Sequence, residues 1–216
     1  MNLIYSMILA LETSSNICGI SLVERNNILN IIDEPCHREH NERLPVLIES
    51  MFKNCNVSLD DIDAIAVNIG PGSFTGLRIG LGFAKGIAYS KNLPIIPVPS
   101  LLALAFSLKE YLPKNGILLS HANKVFYQEF EWENNLPKVV NRPRIGMIDE
   151  FVKQLDNGFQ SNSTKIIKNN LKIREAYPSA SSVGLLASLF FDEWIISEPY
   201  DLVPDYIDAF KIKNHA

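Results

Sequence analysis

The stretch from Ala64 to Ala88 constrains the fold of this chain more than any other. Its first six residues, Ala64 to Ile69, are apolar and rich in β-branched side chains, which is typical of a buried strand. Gly70-Pro71-Gly72 must end that strand, because proline cannot donate a hydrogen bond to a sheet. Apolar residues then recur at helical spacing, so the sequence predicts a helix that begins near Ser73.

Small residues recur at every fourth position of this predicted helix. They form a long series, Gly72, Gly76, Gly80, Ala84 and Ala88, and a short one, Gly82 and Gly86. Each series makes a ridge with almost no side-chain volume. Each glycine inside a helix lowers the stability of the helix by roughly 0.5 to 1 kcal/mol relative to alanine. Such a loss is compensated where the missing side chain lets another group approach the helix closely, so the ridges imply a close neighbour. That neighbour is the chain's own sheet, a helix of a partner subunit, or a ligand.

A glycine turn that opens a helix can also bind phosphate through its backbone amides. The usual phosphate loop has a lysine and a hydroxyl residue directly after its last glycine, whereas here Leu77 and Arg78 follow Gly76. A second polar turn, Glu12 to Ser15, could hold phosphate or could be an ordinary hairpin tip. The candidate residues for a nucleotide site are Thr13, Ser14, Gly70, Gly72 and Ser73.

Composition narrows the class of protein. The 216 residues are 47% hydrophobic, which suits one large domain or two small ones with real cores. A net charge of -4 does not favour an autonomous nucleic-acid-binding protein, which usually carries a basic face. The apolar run Met7 to Leu11 is too short for a signal core or a membrane span. We therefore expect a soluble, cytoplasmic protein without membrane contact.

The cysteine and histidine residues give little support for a disulfide framework or a metal site. Cys18, Cys36 and Cys55 are too few and too scattered for a disulfide framework, which favours a reducing compartment, and no pair has metal-ligand spacing. His37 and His40 stand three residues apart after a proline, whereas helical zinc ligands usually stand four apart around an acidic base. The sequence thus predicts no metal and no cofactor.

The order of elements up to residue 112 predicts a mixed sheet of about five strands with helices packed against it. Runs at Met7–Leu11, Ile17–Val23 and Ile28–Ile32 are joined by short turns and must form antiparallel hairpins. A helix capped by Asn41, with Pro45 near its first turn, follows. Its broad apolar face comprises Leu44, Leu47, Ile48, Met51, Phe52 and Cys55. A strand at Pro94–Val98 completes a right-handed crossover, and a helix at Leu101–Leu112 ends at Pro113.

The second half is predicted to be a reduced copy of the first. Gly116–Ser120 and Val125–Trp132 resemble a strand pair, and Ser181–Phe191 an apolar helix. Ile145–Leu155 is assigned as a helix and Lys165–Ile167 as a short strand. After Pro199 an extended tail with Tyr200, Pro204 and Tyr206 is expected on the surface. The predicted subdomains are 1–112 and 113–216.

Five segments of the chain resemble one known family, the bacterial TsaB proteins, also called YeaZ. They are Ile8–Ser15, Arg43–Ile48, Gly70–Gly80, Lys85-Gly86 and Pro97–Leu101. The run Gly-Pro-Gly-Ser-Phe-Thr-Gly-Leu-Arg-Ile-Gly is specific to that family, and the match is dense to about residue 112. The resemblance implies an α/β fold of the ASKHA (actin-like, Hsp70-like) type, built from two related domains.

The resemblance also implies a function in making N6-threonylcarbamoyladenosine at tRNA position 37, next to the anticodon. TsaD transfers the threonylcarbamoyl group, TsaE is the associated ATPase, and TsaB is the non-catalytic partner that pairs with itself when alone and meets tRNA only through the complex. TsaD carries a metal-binding histidine pair at positions that align here with Ser100 and Leu104, which fits TsaB rather than TsaD. This chain departs from the family at His121-Ala122-Asn123, where many members have Asp-Ala-Arg, and near Asp208, where they have an arginine.

The family associates through the two helices that correspond to Asn41–Cys55 and Ser73–Ser90. The resemblance therefore predicts a partner interface formed by Leu44, Leu47, Ile48, Met51, Phe52, Gly72, Phe74, Gly76, Arg78, Gly80, Phe83 and Lys85. Arg78 and Lys85, seven residues apart on nearly one face, could pair with acids of a partner or form a solvated basic edge.

Two hypotheses of different class follow. In the first, the chain is a scaffold that binds a TsaD-like subunit and does no chemistry. In the second, it is a small ASKHA-type phosphotransferase or hydrolase that uses Glu12 as its base and the two polar turns as phosphate holders. Nucleotide binding by the isolated chain would favour the second hypothesis.

Overall fold

The computed structural model describes residues 7–162 and 172–207. The first half contains β1 (Met7–Glu12), β2 (Ile17–Glu24), β3 (Asn27–Pro35), α1 (His40–Cys55), β4 (Ala64–Gly70), α2 (Phe74–Lys91), β5 (Ile95–Pro99) and α3 (Ser100–Ser107). The second half contains β6 (Asn115–His121), β7 (Lys124–Glu133), β8 (Leu136–Val139), β9 (Arg144–Met147), α4 (Ile148–Val152), β10 (Gly158–Ser161), β11 (Ile173–Glu175), α5 (Ala180–Leu189) and α6 (Phe191–Trp194).

The first sheet has the strand order β3-β2-β1-β4-β5. β1 and β3 each run antiparallel to β2, which confirms the predicted hairpins. β4 lies parallel to both β1 and β5, with Leu9 opposite Ile65 and Ala66 opposite Ile96. The strand, glycine turn and helix that the sequence predicts around Gly70–Gly72 are therefore present, and Ser73 is the N-cap of α2.

The second sheet repeats this pairing pattern in the order β11-β10-β6-β7-β8, with β9 also paired to β7. β6 runs antiparallel to β7 and parallel to β10, and β10 runs parallel to β11. β6, β7, β10 and β11 thus occupy the places that β1, β2, β4 and β5 hold in the first sheet. The predicted reduced copy is confirmed as a duplicated α/β fold of ASKHA type.

Alternating side chains on the strands create three apolar layers. On β1, Leu9 and Leu11 face α1 and α2, while Ile8 and Ala10 face the opposite layer. That opposite layer contains α3 and α5 and is closed on its far side by residues of the second sheet such as Phe126 and Phe159. A smaller layer lies between the second sheet and α4, where Tyr127 stacks on Phe151 with ring centroids 4.7 Å apart. The largest core therefore joins the two halves of the chain.

Several boundaries differ from the sequence prediction, among them those of α3, α4 and α1. α3 ends at Ser107 rather than Leu112, because its residues are buried on all sides and the polar stretch after it lies at the surface. Within the predicted helix at Ile145–Leu155 only Ile148–Val152 is helical, since the residues before it pair with β7 as a strand. Asn41 lies inside α1 instead of capping it, and Glu39 occupies the N-cap position without a side-chain hydrogen bond.

The short strands β8, β9, β10 and β11 are absent from the sequence prediction, since three or four residues carry too little periodicity. The predicted strand at Lys165–Ile167 and the position of Asp208 lie outside the described residues. Among the described residues, none of the helices combines the length and the apolar character needed to cross a membrane.

The last part of the described chain returns to the first sheet. α5 packs against β1, β2 and β3, and Ile196 pairs with Ile95 on β5 as an isolated bridge. Asp33 on β3 accepts hydrogen bonds from the Ala180 amide and the Ser179 hydroxyl at the start of α5. The division into subdomains 1–112 and 113–216 stays a prediction.

Because the largest core is shared by the two halves, truncating a side chain in it should destabilise the protein. Leu186 on α5 is fully buried between the two sheets, so Leu186→Ala should lower the free energy of unfolding by about 2 to 5 kcal/mol through lost contacts and a residual cavity. Leu189 on the same helix is 40% exposed, and Leu189→Ala should change it by less than about 0.5 kcal/mol. Urea denaturation followed by circular dichroism checks both. Equal effects of the two substitutions would contradict the position of α5.

Candidate functional site

A buried polar network joins the carboxyl ends of β1, β4 and β5. The Glu12 carboxylate accepts hydrogen bonds at Oε1 from the amide and hydroxyl of Ser14, both at 2.6 Å, and at Oε2 from Nδ2 of Asn68 at 2.5 Å. Oδ1 of Asn68 accepts from the Gly70 amide at 3.0 Å and from the Ser100 hydroxyl. Both carboxylate oxygens of Glu12 are therefore engaged by the chain itself.

Burial raises the pKa of Glu12, and the hydrogen bonds from Ser14 and Asn68 act in the opposite direction. The side chain is almost completely inaccessible to solvent. A general base must reach the proton that it abstracts, and Glu12 has neither a free oxygen nor an open approach in this conformation. Its position suits a structural linker between strands.

The long glycine series of α2 packs against the turn that follows β1. A Cβ atom at Gly76 would lie 2.0 Å from the Thr13 carbonyl oxygen, and one at Gly80 would lie 2.2 Å from Oγ1 of Thr13. Oγ1 of Thr13 donates a 2.8 Å hydrogen bond to the Gly76 carbonyl. The close neighbour of this series is therefore the chain's own sheet, one of the alternatives that the sequence left open.

The two polar turns that were candidate phosphate holders contact each other. The Ser73 amide donates to the Ser14 carbonyl at 2.7 Å, and a Cβ at Gly72 would lie 2.5 Å from that same oxygen. The Gly76 amide is bonded to the Ser73 hydroxyl at 3.2 Å, and Thr13 is occupied as described above. Because backbone fills the space between the turns, a phosphate group does not fit there.

The apolar face of α1 is largely buried within the chain. Leu44, Leu47, Ile48 and Met51 belong to the core between α1, α2 and the first sheet, and Phe52 packs against that core. Of the predicted interface residues on α1, only Phe52 is partly accessible to a partner in this conformation. The outer surface of α1 consists instead of Asn41, Pro45, Val46, Glu49 and Lys53, among others.

On α2 the accessible surface is the side that carries the short glycine series. A Cβ at Gly82 or Gly86 would meet nothing within 4 Å. These glycines form the floor of an apolar groove. Its lining comprises Asn41, Arg78, Ile79, Gly82, Phe83, Gly86, Ile87 and Ser90. We call this the α2 groove.

The predicted interface residues thus divide between the interior and the surface. Phe74, Arg78, Phe83 and Lys85 reach the surface wholly or in part, whereas Gly76 and Gly80 are buried and Gly72 contacts Ser14. The sequence prediction did not assign Ile79, Gly82, Gly86 and Ile87 to the interface. The four-residue spacing of Gly82 and Gly86, on the side of α2 turned away from Gly76 and Gly80, was the signal that could have identified them.

Arg78 and Lys85 contact the end of the described chain. Nε of Arg78 donates to the Tyr206 hydroxyl at 2.8 Å, and Nζ of Lys85 donates to the Tyr200 carbonyl at 2.7 Å. Tyr200 and Tyr206 lie on the surface, as the sequence predicts, whereas Pro204 is buried, and the tail is anchored across α2.

Among the described residues, the histidine and cysteine side chains do not form a set of metal ligands. His37 is exposed, while His40 is buried with Nε2 3.1 Å from the Ile17 carbonyl oxygen. Cys18 and Cys36 are buried free thiols, and burial raises the pKa of Cys18 to about 12, so it is protonated at neutral pH. Within residues 7–162 and 172–207, no group of three His, Cys, Asp or Glu side chains could hold a metal ion.

In the segment His121-Ala122-Asn123, His121 ends β6, and Ala122 and Asn123 form the turn between β6 and β7. It is the counterpart in the second half of the turn after β1. Nδ1 of His121 lies 3.1 Å from the Ser120 hydroxyl, and the Asn123 carbonyl accepts a 2.9 Å hydrogen bond from the Ile148 amide.

Comparison with protein families places residues 27–135 on the model of "TsaD: tRNA N6-adenosine threonylcarbamoyltransferase". The tRNA threonylcarbamoyladenosine biosynthesis protein TsaB of Haemophilus influenzae is 30% identical over 166 residues, which are 69% of this chain and 68% of that protein. TsaB of Escherichia coli is 32% identical over 160 residues, 68% of this chain and 67% of that protein. TsaB of Bacillus subtilis is 26% identical over 218 residues, 93% of each chain.

Two solved structures have the same fold as this chain. A Pseudomonas aeruginosa protein described as uncharacterized with similarity to peptidase YeaZ superimposes with a TM-score of 0.82 at 22% identity, over 94% of this chain and 100% of that one. YeaZ from Pseudomonas aeruginosa superimposes with a TM-score of 0.79 at 23% identity, over 93% of this chain and 99% of that one.

Replacing glycine by alanine should change the free energy of unfolding in opposite directions in the two glycine series. Gly76→Ala should lower the free energy of unfolding by about 1 to 3 kcal/mol, because the new methyl group overlaps the Thr13 carbonyl. Gly86→Ala should raise it by roughly 0.5 to 1 kcal/mol, because the site is open and alanine favours the helix. Urea denaturation of both variants tests this. A stabilised Gly76→Ala variant would contradict the packing of α2 on the Thr13 turn.

The raised pKa of Glu12 predicts a pH dependence of stability. The folded state holds this proton more tightly than the unfolded state, so the contribution of Glu12 is fully present below the ordinary value of 4.5 and is lost as the pH rises through the folded pKa. Wild type should therefore lose stability relative to Glu12→Gln as the pH rises from 4.5. The difference between the two proteins is the quantity to measure, by urea denaturation at several pH values, because Asp33 also has a raised pKa. A difference that is constant with pH would contradict the prediction.

Proposed function

Because this chain belongs to the TsaB (YeaZ) family, we propose that it is a non-catalytic subunit in the formation of N6-threonylcarbamoyladenosine at tRNA position 37. It binds and activates a TsaD-like threonylcarbamoyltransferase, together with a TsaE-like ATPase. It meets tRNA only through that complex, acts in the cytoplasm and pairs with a second copy of itself when the TsaD-like subunit is absent.

The observation that carries the proposal is the α2 groove. An apolar surface with open glycines lets a helix of another subunit approach closely, and contiguous exposed apolar patches mark interaction sites. Val46 on the outer surface of α1 is 52% exposed. The occupant of the groove is a helix of the TsaD-like subunit.

The likeness to the TsaD family supports the same surface. The matched residues 27–135 include both α1 and α2, so a TsaD-like subunit has a corresponding helix pair. Two chains of related fold can then associate through equivalent faces about an approximate twofold axis. A second copy of this chain has the same face, so we expect self-association and mixed association to compete.

The alternative function, a phosphotransferase or hydrolase that acts by itself, has less support. It needs a base and an anion cradle, yet both oxygens of Glu12 accept hydrogen bonds from Ser14 and Asn68. The turns at Thr13 and Gly72 pack on each other. These contacts favour a scaffold over a catalyst.

A charged side chain in the groove tests the proposal. Gly86→Glu leaves the core untouched, but it places a carboxylate in an apolar interface, where an unpaired charge is costly. We expect wild type to form a stable complex with its host's TsaD subunit and Gly86→Glu to bind at least about tenfold more weakly, a loss of about 1.4 kcal/mol. Light scattering and titration calorimetry measure mass and affinity.

Val140→Glu is the matched control, since Val140 is 52% exposed and follows β8 in the second sheet. It should bind the TsaD subunit as wild type does. A wild-type chain that stays monomeric and ignores the TsaD subunit would overturn the proposal, and nucleotide-binding assays would then test the alternative.

A further inference from the structure

The last described residues, 199–207, begin with a 3-10 turn at Pro199–Asp201 and cross α2 as a segment that we call the strap. It is anchored at both ends, through the Tyr200 carbonyl to Lys85 and through the Asp205 amide, which donates to the Ile69 carbonyl at 2.8 Å. Between these anchors, Leu202 packs against the core beneath α1 and α2. The strap is therefore a fixed part of the surface of the first half.

The strap holds the side chain of Arg78. The guanidinium carbon lies 3.8 Å from the Phe74 ring centroid and 5.7 Å from that of Tyr206, and Nε donates to the Tyr206 hydroxyl. The two rings are themselves 5.2 Å apart. Stacking and a hydrogen bond together restrict a side chain that would otherwise have many rotamers.

Helix geometry places the strap beside the α2 groove. Phe74, Arg78, Lys85 and Tyr89 recur on one side of α2 and meet the strap, while Ile79, Gly82 and Gly86 lie about a quarter-turn further round. Arg78 borders both surfaces, since it contacts Tyr206 and also lines the groove. The groove thus has the N-terminal part of α1 on one side and the strap on the other.

Charge and exposure indicate what would bind across this boundary. Among the described residues, no carboxylate lies within ion-pair distance of Arg78 or Lys85. The strap also exposes large apolar side chains, with Tyr200 61% and Val203 65% accessible, next to Tyr89 at 76%. Tyrosine and arginine are among the residues enriched in binding hot spots.

We propose that the strap is part of the docking surface for the TsaD-like subunit and that it positions Arg78 for a carboxylate of that subunit. The inference rests on the proposed function and adds a second contact region to it. The partner segment is an amphipathic helix whose apolar side chains fill the α2 groove and whose acidic side chain faces the strap. Arg78 then gains the opposite charge that the described part of its own chain does not provide.

Two shortened chains test the strap. A chain that ends after Ile207 keeps the strap and lacks only residues beyond it, whereas a chain that ends after Pro204 keeps Leu202 but loses Tyr206. We expect the first to bind the TsaD subunit as the full chain does and the second to bind about tenfold more weakly, by titration calorimetry. Equal affinity of the two shortened chains would overturn the proposal, provided that thermal unfolding shows both to be folded.

Point variants separate the positioning of Arg78 from its charge. Tyr206→Phe keeps the ring contact but removes the hydroxyl that accepts from Arg78, and we expect binding about threefold weaker. Arg78→Lys keeps a positive charge without the planar stack, and Arg78→Ala removes both. Binding should weaken progressively from Arg78→Lys to Arg78→Ala, and the affinity of Arg78→Ala should vary less with salt concentration than that of wild type.

The outcomes distinguish this inference from the proposed function. If wild type does not bind the TsaD subunit at all, the proposed function fails and the inference fails with it. If wild type binds and Gly86→Glu does not, but Tyr206 and Arg78 variants bind normally, the groove is the docking site and the strap is only structural. If the strap variants weaken self-association alone, the occupant is a second copy and the proposal for the TsaD-like subunit is wrong.

Discussion

The packing of α2 on the turn after β1 is the constraint on which the first half depends. Gly76 and Gly80 bring the helix backbone against Thr13, and the Thr13 hydroxyl bonds the Gly76 carbonyl. Beneath this contact, Glu12 and Asn68 tie the ends of β1 and β4 together. This contact fixes the distance of α2 from the sheet. The opposite side of the helix, which carries the α2 groove, is therefore fixed in position as well.

The two halves of the duplicated fold make different structural contributions. The two sheets share one pairing pattern and enclose α3 and α5 in a common apolar layer. The second half contributes the far wall of that layer and returns the chain to the first sheet through α5 and Ile196. The exposed groove lies on α2 in the first half, and the strap crosses α2 from the end of the second half, so both halves contribute to this surface.

The polar turns that look catalytic in the sequence are used for structure. Hydroxyls and glycines at Thr13, Ser14 and Gly72 could hold an anion if the turns stood apart, but here they bond each other. A raised pKa at Glu12 reflects burial in this arrangement. A carboxyl group with a shifted pKa indicates an active site only where a substrate can reach it. Both oxygens of Glu12 are occupied by hydrogen bonds from Ser14 and Asn68.

The sequence by itself determined the strand, glycine turn and helix at Ala64–Ala88 and the hairpins before them, because local periodicity and turn chemistry specify these directly. It also identified the family, through the likeness of whole segments such as Gly70–Gly80 to the TsaB proteins. It could not decide which glycine series faces inward, since both have helical spacing and only the Thr13 turn, distant in the chain, distinguishes them. It likewise could not place the short strands of the second sheet or the strap on Arg78. Those depend on contacts between residues far apart in sequence, so the burial of half of the predicted interface residues and the exposure of Gly82 and Gly86 were decided by the tertiary structure.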